Sequence, residues 1–192
     1  MGNEITMKLN SSINDFYKIL ESKGFEVVDK FLLDDTYFIP KDIDIYKVTP
    51  REVLKQYILT RNITQYMPNE YKVLKMTYKS KNIASNGEII SQESTSCNIY
   101  NIEEAKDFLK AIGYKEIMNI KENNIVYGKD GLKIAVKDIQ NGDNLIEVET
   151  DENNEELNTI QKLKDKLNEL QLPLDMSDYF VKKAEIELKK LL

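Results

Sequence analysis

The chain repeats itself. Laying residue 4 over residue 93 sets Glu4-Ile5-Thr6 against Glu93-Ser94-Thr95 and Gly24-Phe25 against Gly113-Tyr114 at one constant offset, and a single inserted residue carries the match to Tyr37 against Tyr127. Each half reads strand, helix, glycine-aromatic, strand, polar turn, tyrosine. The plainer alternative is a coincidence between two βαβ stretches of similar length. The repeat predicts two related halves, 1–88 and 89–150, in a single domain over 1–192, with C-terminal helices over 151–192.

The repeated helix carries its own start and stop. Over residues 12–23, Ile13, Phe16, Tyr17 and Leu20 share a face, Ser12 with Asp15 makes a capping pattern, and Gly24 ends the run. Over 101–112, Asn101 and Glu104 open the helix, Ala105, Phe108, Leu109 and Ile112 form the apolar face, and Gly113 closes it. A third, short helix is expected after Thr49-Pro50-Arg51-Glu52.

Between the helices lie alternating strands. Over 71–79, Val73, Lys75, Thr77 and Lys79 share one face and Leu74, Met76 and Tyr78 the other; a strand over 57–63 precedes them. Over 131–138, Lys133, Ala135 and Lys137 oppose Leu132, Ile134 and Val136, and over 145–150 Glu147 and Glu149 oppose Ile146 and Val148, with the turn Asn141-Gly142-Asp143 between the two strands. About eight such strands predict an α+β chain in which an antiparallel eight-stranded sheet curls into a closed or nearly closed barrel, helices on its apolar side and charges inward. On pattern alone, an open antiparallel sheet with its charged face in water is the commoner arrangement. After Thr150, the acidic run 151–156 reads as a turn and helix start, Leu157, Ile160, Leu163, Leu167 and Leu170 as an amphipathic helix, and 177–191 as a last helix.

Composition narrows the chemistry. With no histidine, the Ser-His and Cys-His nucleophilic pairs and imidazole metal sites are absent, so a metal here would take oxygen ligands. Cys97 is the one cysteine, which excludes an internal disulfide and a cysteine-rich zinc site; it reads as a small apolar strand residue. A net charge of −6 argues against general nucleic-acid binding. No apolar run approaches the ~20 residues of a membrane span. Met1-Gly2-Asn3-Glu4 lacks the pattern of a secretion leader, so a cytoplasmic location is expected.

The order of segments resembles the CYTH, or triphosphate-tunnel, family, which includes thiamine triphosphatases, inorganic triphosphatases and class IV adenylyl cyclases. The resemblance spans nearly the whole chain. It rests on Glu4-Ile5-Thr6-Met7-Lys8 against the family's E-x-E-x-K, Asp34-Asp35-Thr36-Tyr37-Phe38 against D-x-Y-F, and Met76-Thr77-Tyr78-Lys79 against L-T-Y-K. Lys121 matches the lysine of K-x-R, Glu147 and Glu149 the late E-x-E, and Ser177-Asp178-Tyr179-Phe180 the usual ending. The sequence departs from the pattern at Thr6 for a glutamate, Leu59 for the first arginine of R-x-R with Arg61 in the second, Asn123 for an arginine and Lys137 for an aspartate. Around Glu93 one acid stands where two are usual.

The resemblance implies a small triphosphate ligand, with Lys8, Arg61, Lys75, Lys79, Lys121, Lys133 and Lys137 on its phosphates and Glu4, Glu93, Glu147 and Glu149 holding Mg²⁺ or Mn²⁺. No catalytic residue is assigned. The leading expectation is metal-dependent hydrolysis of tripolyphosphate, thiamine triphosphate or a nucleotide. A non-catalytic polyphosphate or nucleotide binder and a cyclase acting on ATP are the alternatives, and the C-terminal amphipathic helices allow a homodimer.

Overall fold

A glycine in the left-handed region ends each of the two repeated helices. Gly24 has φ +81° and Gly113 φ +95°, conformations that cost a Cβ-bearing residue energy and that turn the chain sharply into the following strand. Upstream, the Ser12 hydroxyl accepts from the Asp15 N–H, and the Asn101 side chain accepts from the N–H groups of Glu103 and Glu104. The computed structural model describes residues 4–86 and 88–192; Met1, Gly2 and Asn3, where the absence of a leader pattern is read, and Gly87 lie outside them.

In chain order the elements are β1 (Glu4–Lys8), α1 (Ile13–Ser22), β2 (Glu26–Pro40), α2 (Pro50–Val53), β3 (Gln56–Met67), β4 (Tyr71–Ile83), β5 (Ile89–Asn98), α3 (Ile102–Ala111), β6 (Tyr114–Lys129), β7 (Leu132–Ile139), β8 (Asn144–Glu149), α4 (Ile160–Leu170) and α5 (Lys183–Leu191). The strands form one antiparallel sheet in the order β1-β8-β7-β6-β2-β3-β4-β5, so the expected α+β chain with an eight-stranded antiparallel sheet is what the structure has. The order carries the repeat. The first strand of each half joins the later strands of the other half: β1 lies beside β8, and β5 beside β4.

The chain divides into two compact units. One comprises Met1–Phe31, Tyr66–Pro68 and Asn123–Val181. Its core forms where the apolar sides of the alternating strands, with Ile5, Met7, Ile134, Val136, Ile146 and Val148, meet Phe16 and Leu20 of α1 and Leu163 and Leu167 of α4. All these side chains are essentially inaccessible, so each contributes about 1.5–3 kcal/mol of burial. The other unit comprises Leu32–Gln65, Asn69–Glu122 and Lys182–Leu192, and buries Tyr37, Phe38, Tyr57, Leu59, Leu109 and Leu188. Within it, Thr49 and Glu52 make the expected capping box at α2, and α5 packs on α2.

Four sequence expectations need correction. The last helix begins at Lys183 rather than Ser177, because the Asp175 and Asp178 carboxylates accept from the N–H groups of Ser177 and Phe180 and hold 175–180 in turns. Phe180 then bridges to Thr6 on β1. The acidic run does not start a helix. Asp151 and Asn154 cap their own turns through the N–H groups of Asn153 and Glu156, and α4 starts at Ile160 with Thr159 as its cap. On α3 only Leu109 is buried, while Phe108 and Ile112 are exposed, so the inward stripe is narrower than four apolar residues suggest. Cys97 lies on β5 as a strand residue, but it is exposed.

Candidate functional site

The register of three strands builds the site. β1 pairs with β8 so that Glu4 opposes Glu149 and Thr6 opposes Glu147, and β8 pairs with β7 so that Ala135 opposes Glu147 and Lys137 opposes Leu145. Paired residues share a face, and residues two apart on a strand share it too. Glu4, Thr6, Lys8, Lys133, Ala135, Lys137, Glu147 and Glu149 therefore occupy the side opposite the helix-backed core. One carboxylate oxygen from each of Glu4, Glu147 and Glu149 lies within 4.8 Å of the others.

Three carboxylates at that spacing repel one another. Partial burial, then the Glu147 and Glu4 charges, hold the Glu149 carboxyl above its usual range, and only Lys137 opposes the shift. The Lys137 ammonium stands 2.5 Å from Glu147 Oε2, and both side chains are largely withdrawn from water. Lys8 pairs instead with Asp143, at 2.8 Å and half exposed. Beside the carboxylates opens a cleft of about 670 Å³, whose walls include Phe31, Lys133, Glu147, Glu149 and Asp151.

The donor set fits a hard divalent cation. It offers oxygen only, from three carboxylates whose ligand atoms lie within 4.8 Å of one another. Three carboxylates leave the remaining coordination positions to water or phosphate oxygen.

In the second unit the expected ligands have other neighbours. Arg61 on β3 donates through Nε and Nη2 to both oxygens of Asp35 at 2.6 Å, and Asp35 is fully buried. Lys183 of α5 reaches Glu122 at 2.8 Å and lies 3.9 Å from Asp35. Arg61 stands opposite Lys75 across β3 and β4, so Asp35 also offsets repulsion between two cations. Lys75 and Lys79 share one face of β4, as the alternation predicts. Glu93 on β5 opposes Ser80 of β4, which places it on the face away from Lys79 and Ser94, exposed; it is not part of the three-carboxylate group. Lys121 lies 3.4 Å from Asp34, the neighbour of Asp35 on the other face of β2.

Asp35, Glu122 and Lys183 are the charged residues that sequence reasoning did not single out as a group. Asp35 lies within the Asp34-Asp35-Thr36-Tyr37-Phe38 segment. Glu122 carried one signal, a carboxylate in the alternating buried run of β6 with Met118 and Ile120.

No protein-family model and no curated protein matches the chain. Solved structures do. A Pyrococcus horikoshii protein aligns with a TM-score of 0.72 at 17% identity, covering 99% of each chain. A candidate adenylyl cyclase from Hippeastrum with a dominant triphosphatase activity aligns at 0.62 and 17% identity, over 100% of this chain and 98% of that one. A candidate adenylate cyclase from Vibrio parahaemolyticus aligns at 0.56 and 13%, over 92% and 95%. The chain shares the fold of these proteins over 92–100% of its length. The resemblance read from the motifs thus holds for the fold.

Proposed function

We propose that the chain binds a small triphosphate compound together with Mg²⁺ or Mn²⁺ and hydrolyses it. The observation that carries this reading is the convergence of Glu4, Glu147 and Glu149 on one face of β1 and β8, beside the ammonium of Lys137 and the cleft that Lys133 lines. The carboxylates hold the cation, and Lys8, Lys133 and Lys137 neutralise phosphate oxygens. A bound divalent ion would polarise a phosphoryl oxygen or an attacking water. The fold shared with a protein of dominant triphosphatase activity supports the same reading by analogy.

A second reading, binding without turnover, is favoured by one observation: Asp35 already engages two of the three guanidinium nitrogens of Arg61, Nε and Nη2, and neutralises its charge. Release of phosphate from tripolyphosphate, thiamine triphosphate and ATP, each with and without Mn²⁺, separates the two. Metal-dependent release that disappears in Glu147→Gln supports hydrolysis. A ligand-induced thermal shift without release supports the binder.

A further inference from the structure

The two ends of the sheet differ in one respect. The outer edge of β1 is covered by the chain itself: the Thr6 N–H donates to Tyr179 O and the Val181 N–H to Thr6 O, each at 3.0 Å, while Asp175 N–H donates to Lys8 O at 2.9 Å and Asn10 N–H to Pro173 O at 2.8 Å. β5 holds the equivalent place at the other end, beside the strands of the opposite half. Among the described residues it pairs as a strand only with β4. Its far edge is a row of backbone donors and acceptors of the kind that recruits another strand.

Proteins usually blunt such an edge with lysine, proline or a covering segment. Residues 89–98 contain no Lys, Arg or Pro, and Glu93 is their one charge. Residues 93–98 are all exposed. The amphipathic helices that would otherwise serve self-association are engaged inside the chain, with Leu163 and Leu167 of α4 and Leu188 of α5 buried.

We propose that β5 pairs antiparallel with β5 of a second copy, with Thr95 on the two-fold axis. An antiparallel pairing about one residue is isologous, so each group on one strand meets its complement on the other. Centring on Thr95 sets Ser94 against Ser96, Glu93 against Cys97 and Gln92 against Asn98. It also brings Ile90 of each copy opposite Tyr100 of the other. Ile90 is 64% exposed and Tyr100 fully so in the single chain, and an aliphatic-aromatic pair at each end of the ladder is a stabilising cross-strand arrangement. Centring on Glu93 would instead oppose two carboxylates. The ladder joins two sheets through an edge alone, so the dimer dissociates on dilution.

Sedimentation velocity of the full chain over a hundredfold concentration range, without added ligand, tests this. The expected result is a species of twice the chain mass that gives way to monomer on dilution, and its loss in Thr95→Lys, where two ammonium groups meet at the axis. Circular dichroism and the thermal midpoint check that this exposed substitution leaves the fold intact. Independently of that variant, Thr95→Cys in a Cys97→Ser background links into a disulfide dimer on mild oxidation, because paired Cα atoms lie about 4.5–5.5 Å apart. A chain that stays monomeric at the highest concentration overturns the proposal. So does a dimer that survives Thr95→Lys and leaves Thr95→Cys unlinked.

Discussion

The Lys137 ammonium sits 2.5 Å from Glu147 Oε2, on a carboxylate that also belongs to the three-oxygen group with Glu4 and Glu149. A lysine and a divalent cation cannot both hold that carboxylate fully. If the site binds as proposed, the pair would set two affinities in opposite directions: Lys137 would offset the acidic charge without the cation and turn to phosphate when the cation takes its place.

Replacing Lys137 with methionine should strengthen divalent-cation binding and weaken triphosphate binding. The interaction is partly screened, and about 1 kcal/mol, roughly a fivefold change in each affinity, is expected. Calorimetric titration with Mn²⁺ alone and then with tripolyphosphate measures both. Equal weakening of the two would show that Lys137 does not compete with the cation.

Glu149 gives the pH dependence its sign. Its folded-state value lies above the ordinary 4.5, so the folded chain holds this proton more tightly than the unfolded chain does. The resulting stabilisation is complete below 4.5 and is lost as pH rises through the raised folded value. In the absence of divalent ions, Glu149→Gln should remove that loss, leaving the variant at least as stable as the wild type at pH 7. Thermal midpoints from pH 4 to 8 in chelator test it; a variant that falls as steeply as the wild type contradicts it.

Asp35 and Arg61 are coupled structurally. Asp35→Asn removes the charge on which both Arg61 nitrogens converge and should cost about 3–5 kcal/mol, since it leaves a largely buried guanidinium without its counter-charge. Replacing both residues together, Asp35→Leu with Arg61→Met, should cost less than the sum of the single replacements. Urea unfolding of the four proteins in the cycle reads the coupling directly, and additive costs would show that the two residues act separately.

Much of this was legible in the sequence because it is local. Ser12, Asn101 and Thr49 mark helix starts, Gly24 and Gly113 mark stops, and the alternation of Ile134 and Val136 with Lys133, Ala135 and Lys137 assigns the faces of β7 before any pairing is known. The pairing of β1 with β8 is a different matter. It joins residues 4 and 149, and nothing local to either strand specifies its partner; the resemblance alone placed Glu4 with Glu147 and Glu149. Glu93 shows the limit, because a one-residue register turns a side chain to the opposite face. The ion pairs of Lys183 with Glu122 and of Lys121 with Asp34 were hidden for the same reason: each joins segments far apart in the chain. Asx turns at Asp151, Asn154, Asp175 and Asp178 explain why two stretches of favourable helix pattern stay out of helix.

The central claim is a triphosphate site that depends on a cation held by Glu4, Glu147 and Glu149. The most direct test is the thermal midpoint of the chain with tripolyphosphate and Mn²⁺, each alone and together, in the wild type and in Glu147→Gln. A ligand bound only by the folded state raises the midpoint, by about 2.7 kcal/mol of stability at a hundredfold excess over its dissociation constant. A rise that is largest with both components present, and that is lost in Glu147→Gln, is expected. No rise at millimolar ligand, or an equal rise in the variant, would contradict it.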